Sequence, residues 1–219
     1  MNTSCDDIIL SISIHLTDYD KINLTTTSKR IYNTRNNMLF YQRININRIS
    51  SLPYFNNFTN VIIFDGTDPI PLRATHLSFD DRFDKSIKGI IPHSVTHLAL
   101  GNLFDQRIND GDIPNSVTCL EFGAIFMEGG QDLKVVIPPS VKILKLNGFI
   151  YKHIDEIPSS VNCLVFHQYF YRPIDHVPNN IKRIIVSDNY EGLIDNKILS
   201  NVDVVVCKHK KLWSAFGYL

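Results

Sequence analysis

Apolar residues in this chain keep step with a recurring Ile/Val-Pro dipeptide: Ile70-Pro71, Ile91-Pro92, Ile113-Pro114, Ile137-Pro138, Ile157-Pro158 and Val177-Pro178. The prolines fall 21, 22, 24, 20 and 20 residues apart. Counted from each proline, the third residue is Ala74, Val95, Val117, Val141, Val161 or Ile181, and the sixth is Leu77, Leu98, Leu120, Leu144, Leu164 or Ile184. The eighth is Phe79, Leu100, Phe122, Leu146, Phe166 or Val186, and the twelfth is Phe83, Phe104, Phe126, Ile150, Phe170 or Tyr190. A sixteenth column holds Ile87, Ile108, Ile154, Ile174 and Ile194; in the 24-residue copy a Glu-Gly-Gly insertion displaces it to Leu133.

Each column has a physical meaning. Proline fixes its own φ and holds the residue before it extended, so Ile-Pro leads apolar chain into a turn. Ser94, Ser116, Ser140, Ser160 and Asn180 follow two residues on, with side chains short enough to bond backbone in that turn; Arg73 departs. The sixth and eighth positions are two apart, which puts both on one face of a strand and the residues between them on the other. One coil of about 20 residues cannot bury such a face alone, whereas stacked coils share a continuous core. Five or six apolar side chains per coil, each worth about 1.5–3 kcal/mol when fully buried, offset much of the ordering entropy.

The pattern therefore predicts a parallel β solenoid. Weaker copies extend it: Ile62 and Phe64 fit the strand columns before the first proline, and Val205 and Cys207 fit them in a coil opening at Ile198-Leu199. Ile44 and Ile46 are candidates for a first rung, and Trp213, Phe216 and Tyr218 for an apolar cap on the last coil.

Residues 6–40 lie outside the repeat. Ile9, Ile12 and Leu16 sit near helical spacing, yet Leu10, Ile12, Ile14 and Leu16 also alternate as a strand would. Asp18 and Asp20 mark a break and a cap for a second helix.

Composition narrows the function classes. The chain has 22 basic and 22 acidic residues and no net charge, so no positive field favours nucleic acid or anionic lipid. Cys5, Cys119, Cys163 and Cys207 are scattered, with neither a disulfide frame nor zinc spacing, which fits a reducing compartment. The run IILSISIHL is too short to span a bilayer and follows Asp6 and Asp7, so it reads as folded structure. The sequons at Asn2, Asn23 and Asn57 carry no weight without a secretory route.

Motifs for phosphate, dinucleotide, nucleophile and metal chemistry are absent from the sequence. The fifth column, on the non-core face, is His76, His97, Cys119, Ile143, Cys163 and Arg183. Rungs about 4.8 Å apart would let His76, His97 and Cys119 share a zinc ion, but a mixed polar binding face has the same pattern, and no metal or other cofactor is expected. Asp80, Asp81 and Asp84 form a carboxylate cluster in one coil only. A β-helix carbohydrate lyase or hydrolase would instead gather acids from several coils. The run Lys208, His209, Lys210, Lys211 is assigned no role.

The repeat unit, clearest in IPHSVTHLALGNLFDQRI and IPNSVTCLEFGAIF, resembles the FNIP repeat, a relative of leucine-rich repeats, over about residues 56–207. Some copies depart in the later turn, where Phe104-Asp105-Gln106-Arg107 lacks the motif's Asn and Pro and Gly101 or Gly123 becomes Asn147, His167 or Ser187. The first residues resemble an F-box, through the apolar first helix, Asp18-Tyr19-Asp20, Ile22 and Leu24, Ser28 to Tyr32, and Leu39-Phe40. Cys5-Asp6-Asp7 replaces the usual Leu-Pro opening, and Phe40 or Tyr41 the closing tryptophan.

These resemblances imply an α+β chain with an F-box-like helical module at 1–45, a leucine-rich-repeat-like parallel β solenoid at 46–207 and a cap at 208–219. They imply a non-catalytic substrate receptor of a cullin-type ubiquitin ligase in the cytoplasm, the host's if the protein is viral. Ile8, Ile9, Ile12, Leu16, Leu24 and Phe40 would meet a Skp-type adaptor or support that surface. His76, His97, Cys119, Glu121, Ile143, Lys145, Cys163 and Arg183 would face the target protein, with neither nucleic acid nor membrane as partner. The alternative is an adaptor-independent interaction scaffold or decoy, in which residues 1–45 only cap the array.

Overall fold

The computed structural model of the chain describes residues 4–126, 133–146, 150–166 and 170–208. Short helices come first, α1 at Cys5–Ser13, α2 at Asp18–Thr26 and α3 at Lys29–Thr34. Ser4 caps α1 in a reciprocal capping box with Asp7, and Ser28 caps α3. The cap of α2 is Thr17, which accepts from the Asp20 N–H, while Asp18 is the first helical residue. The cap thus stands one residue before Asp18 and three before Asp20, because a threonine hydroxyl does the work. Leu16, expected on the first helix, lies beyond its end in the connecting bend.

The strands are β1 Ile44–Asn45, β2 Asn60–Ile63, β3 His76–Phe79, β4 His97–Ala99, β5 Cys119–Glu121, β6 Ile143–Leu146, β7 Cys163–Phe166, β8 Arg183–Ser187 and β9 Asp203–Cys207. Among the described residues they form one nine-stranded sheet in sequential order, parallel throughout. This is the α+β, leucine-rich-repeat-like architecture expected. Leu77, Leu98, Leu120, Leu144, Leu164, Ile184 and Val204 are direct register partners up the stack. The Leu/Ile column from Leu77 to Ile184 is at most 1% exposed.

The other columns stack likewise. Phe83 lies on Phe104 with ring centroids 6.3 Å apart, Phe104 on Phe126 at 6.1 Å, and Phe170 on Tyr190 at 6.1 Å. Leu133, the apolar residue that stands for the sixteenth column in the 24-residue coil, is fully buried in the core. Each of the six repeat prolines opens a turn: the N–H three residues on donates to the proline carbonyl at 3.0–3.1 Å. Ser140 Oγ and Asn180 Nδ2 reach the carbonyls of Val117 and Val161, in the coil before their own, so they tie coils together rather than close their own turn.

The terminal coils correct the expected phase. In β2 the core-facing residues are Val61 and Ile63, paired with Leu77 and Phe79, while Ile62 pairs with Ser78 and Phe64 is 38% exposed. In β9, Val204 and Val206 pair with Ile184 and Val186, and Val205 and Cys207 lie on the opposite face. A slip of one residue exchanges the faces of a strand. Ile44 does form the first rung, against Val61; Ile46 is buried in the 3-10 turn that follows. The ladder begins earlier still, with a bridge between Phe40 and Phe58. Residues 209–219, which include the expected cap aromatics, lie outside the described residues, as do the Glu-Gly-Gly insertion, Asn147 and His167.

Candidate functional site

Two surfaces carry the sequence-predicted residues. The outward face of the sheet is built by the fifth and seventh columns, because in-register strands place like positions side by side. His76 and His97 stack with ring centroids 4.1 Å apart and an interplanar angle of 12°. Each Nδ1 lies 2.9 Å from the hydroxyl of the preceding threonine, Thr75 or Thr96. Those hydroxyls also reach the carbonyls of Thr59 and Thr75, at 3.4 and 3.2 Å, so a threonine ladder holds the imidazoles flat against each other. Burial pushes the His97 pKa down. Face-to-face rings do not converge on a point, and among the described residues no group of three His, Cys, Asp or Glu side chains gathers as a metal would need.

Further along, the Lys145 ammonium lies 2.8 Å from Glu121 across adjacent rungs, with only 7% and 15% of the side chains exposed. The second Glu121 carboxylate oxygen is buried without a hydrogen-bond partner. Cys119, Cys163, Val165 and Ile185 form a second apolar cluster on this face, flanked by Ile143, Val205 and Cys207. Desolvation raises the Cys119 thiol to about 12 and the Cys163 thiol to about 11, so neither is a nucleophile at neutral pH. The expectation of an open outward face is therefore met only in part. Ser78, Ala99, Cys119, Lys145, Cys163, Val165 and Ile185 are buried, whereas His76, His97, Ile143 and Glu121 are half-buried and Arg183 is exposed. Closely spaced rungs let side chains cover one another even on a face that does not line the main core.

The carboxylates of the Asp80 to Asp84 segment serve backbone and neighbouring coils: Asp80 accepts from the Arg82 N–H, Asp81 from Asn102, and Asp84 from the Asp105 N–H and Gln106. They act as turn fasteners.

The second surface is helical. On α1, Ile8 and Ile12 are 51% and 50% exposed and stand one turn apart, while Ile9 faces the core at 8%. Leu24 is partly buried against the core. Phe40 is fully buried and stacks on Phe58 at 4.8 Å, so it can act on a partner only through the surface it supports.

Sequence reasoning missed the polar joint that seats these helices. Lys21, 1% exposed, donates to Asp18 at 2.9 Å and to the Leu39 carbonyl at 2.7 Å and lies 4.6 Å from the Tyr41 ring centroid. The other Asp18 oxygen accepts from the Gln42 N–H at 2.7 Å. Arg35 donates to Thr25 and lies over both Tyr32 and Tyr54. Only the Lys21/Asp18 spacing of three hinted at a pair.

The FNIP repeat model matches residues 68–103 and 104–149. A protein of Acanthamoeba polyphaga mimivirus named as FNIP repeat-containing is 31% identical over 66% of this chain and 43% of its own length. A second, named as an F-box protein, is 32% identical over 40% of this chain and 43% of its own. A third, named as an F-box and FNIP repeat-containing protein, is 26% identical over 52% and 25%. The chain thus spans less than half the length of each of these relatives. A crystal structure described as a circular LRR protein aligns with a TM-score of 0.45 and 27% identity, over 62% of this chain and 21% of that one. The chain is an FNIP-repeat protein, related to the FNIP-repeat and F-box proteins of mimivirus.

Proposed function

We propose that this chain is a non-catalytic substrate-recognition subunit of a cullin-type, SCF-like ubiquitin ligase, working in the cytoplasm. Its helices dock a Skp-type adaptor and its repeats hold a target protein while another subunit supplies the chemistry. The observation that carries the reading is the pair Ile8 and Ile12, two large apolar side chains half exposed on one face of a capped helix. Water-exposed isoleucines on a capped helix whose opposite face is anchored in the core by Ile9 are suited to a partner surface. Two relatives named as F-box proteins support the same reading.

Affinity capture from an amoebal lysate tests it. The intact chain is expected to recover a Skp-type adaptor, and Ile12→Asp, which leaves the core untouched, to lose it while keeping its circular dichroism and melting temperature. Adaptor-free capture by the intact chain would instead mark an interaction scaffold.

A further inference from the structure

Charge is segregated around each coil. The five residues after Pro71, Pro92, Pro114, Pro138, Pro158 and Pro178 include no Asp or Glu, although the chain has 22 of them. The same windows hold Arg73, Lys142, Lys182 and Arg183, together with His76, His93 and His97. The coil before Pro71 continues the pattern with Asn56, Asn57, Phe58, Thr59 and Asn60. Because the strands are parallel and in register, all these windows converge on one rim of the sheet, where β3 to β8 begin.

That rim is more open than most of the outward face. Arg73, His93, Lys142, Lys182 and Arg183 are exposed. Among the described residues, Arg73, Lys142 and Lys182 take part in no ion pair, while Arg183 is shared with Asp203 at 2.7 Å. Several carboxylates outside these windows are partnered away from them: Asp65 with Lys85 at 2.8 Å and Asp155 with His176 at 2.6 Å across neighbouring coils, and Glu156 with His153 at 2.9 Å within one turn. Asp203, on the last rung, offsets Arg183 alone, so Arg73, Lys142 and Lys182 leave a locally positive edge on an overall neutral chain.

We propose that this acid-free rim holds the target through an acidic, extended segment laid across the rungs. The inference rests on the reading that the repeats hold a protein, and names what that protein offers. Lys142 and Lys182 stand two rungs apart, about 10 Å, which is the span of about three residues of extended chain. Carboxylates spaced that way would meet both cations. Nucleic acid fits less well, since the imidazoles of His76 and His97 stack on each other and bond threonine hydroxyls rather than standing open to a base.

Fluorescence anisotropy on the purified chain tests the inference, with a fluorescein-labelled Glu/Ser-rich peptide and its Gln/Ser counterpart. The acidic peptide should bind and the neutral one should not, with affinity falling as salt is raised. The double variant Lys142→Glu/Lys182→Glu should weaken binding about tenfold or more, while Lys88→Glu, exposed but off the rim, leaves it unchanged. Equal binding of both peptides, no binding of either, or equal effects of rim and off-rim reversal would overturn the assignment. Equally tight binding of single-stranded DNA of matched charge would overturn it too, as a general affinity for polyanions. Adaptor binding plays no part in this readout, so its failure and failure of the ligase reading register separately.

Discussion

Gly101 and Gly123 are fixed by distance. A Cβ at Gly123 would overlap the carbonyl oxygen of Gly101, and one at Gly101 the carbonyl oxygen of Asp80, so neighbouring coils approach backbone to backbone at this corner. Gly123→Ala is expected to cost about 1–3 kcal/mol in urea unfolding, as overpacking does. His97 makes a pH prediction. Burial favours its neutral form, so on acidification the unfolded chain takes up a proton before the folded one. The His97 contribution is full above its ordinary pKa of about 6.5 and is lost as pH falls below it. Thermal scans at several pH values should show stability declining from pH about 7 to about 5, with a shallower decline in His97→Gln. An unchanged slope in that variant would refute the assignment.

At the scale of elements, the repeat was legible because prolines set its phase. Wherever Ile-Pro stands, the third, sixth and eighth positions are core, as the burial of Val95, Leu98 and Leu100 illustrates. The end coils have no such marker. The runs Val61 to Phe64 and Val204 to Val206 are apolar in both phases, so alternation cannot say which face is inside. Only pairing to a neighbouring strand decides. The Lys21 joint was illegible for a different reason: a lysine on a helix reads as solvated surface unless its partners, here the Leu39 carbonyl and Asp18, are known to close over it. Lys21→Met should cost about 3–5 kcal/mol, because Asp18 would stay buried without its counter-charge. Leu120→Ala, in the middle of the leucine column, should cost about 2–5 kcal/mol, whereas Val204→Ala, in the partly exposed last rung, should cost less in the same denaturant titration.

For the whole molecule, two surfaces of different chemistry sit on one stack. The helical one is apolar, with Ile8 and Ile12 exposed; the rim where β3 to β8 begin is polar and contributes no acid of its own. The candidate face was predicted from alternation, which identifies outward positions but says nothing of how far neighbouring rungs cover them. Hence Lys145 and Cys163 proved buried while Arg183 did not. The Lys21 joint ties the helices to the start of the sheet through Leu39 and Gln42, which in the proposed receptor would hold the two surfaces in a fixed relation.

The most direct test of that division is capture with three baits in parallel: the intact chain, Ile12→Asp, and Lys142→Glu/Lys182→Glu, each verified as folded. The intact chain should recover adaptor and target together, the helix variant target without adaptor, and the rim variant adaptor without target. Recovery of the same partners by all three baits, or of no adaptor by the intact chain, would contradict the account.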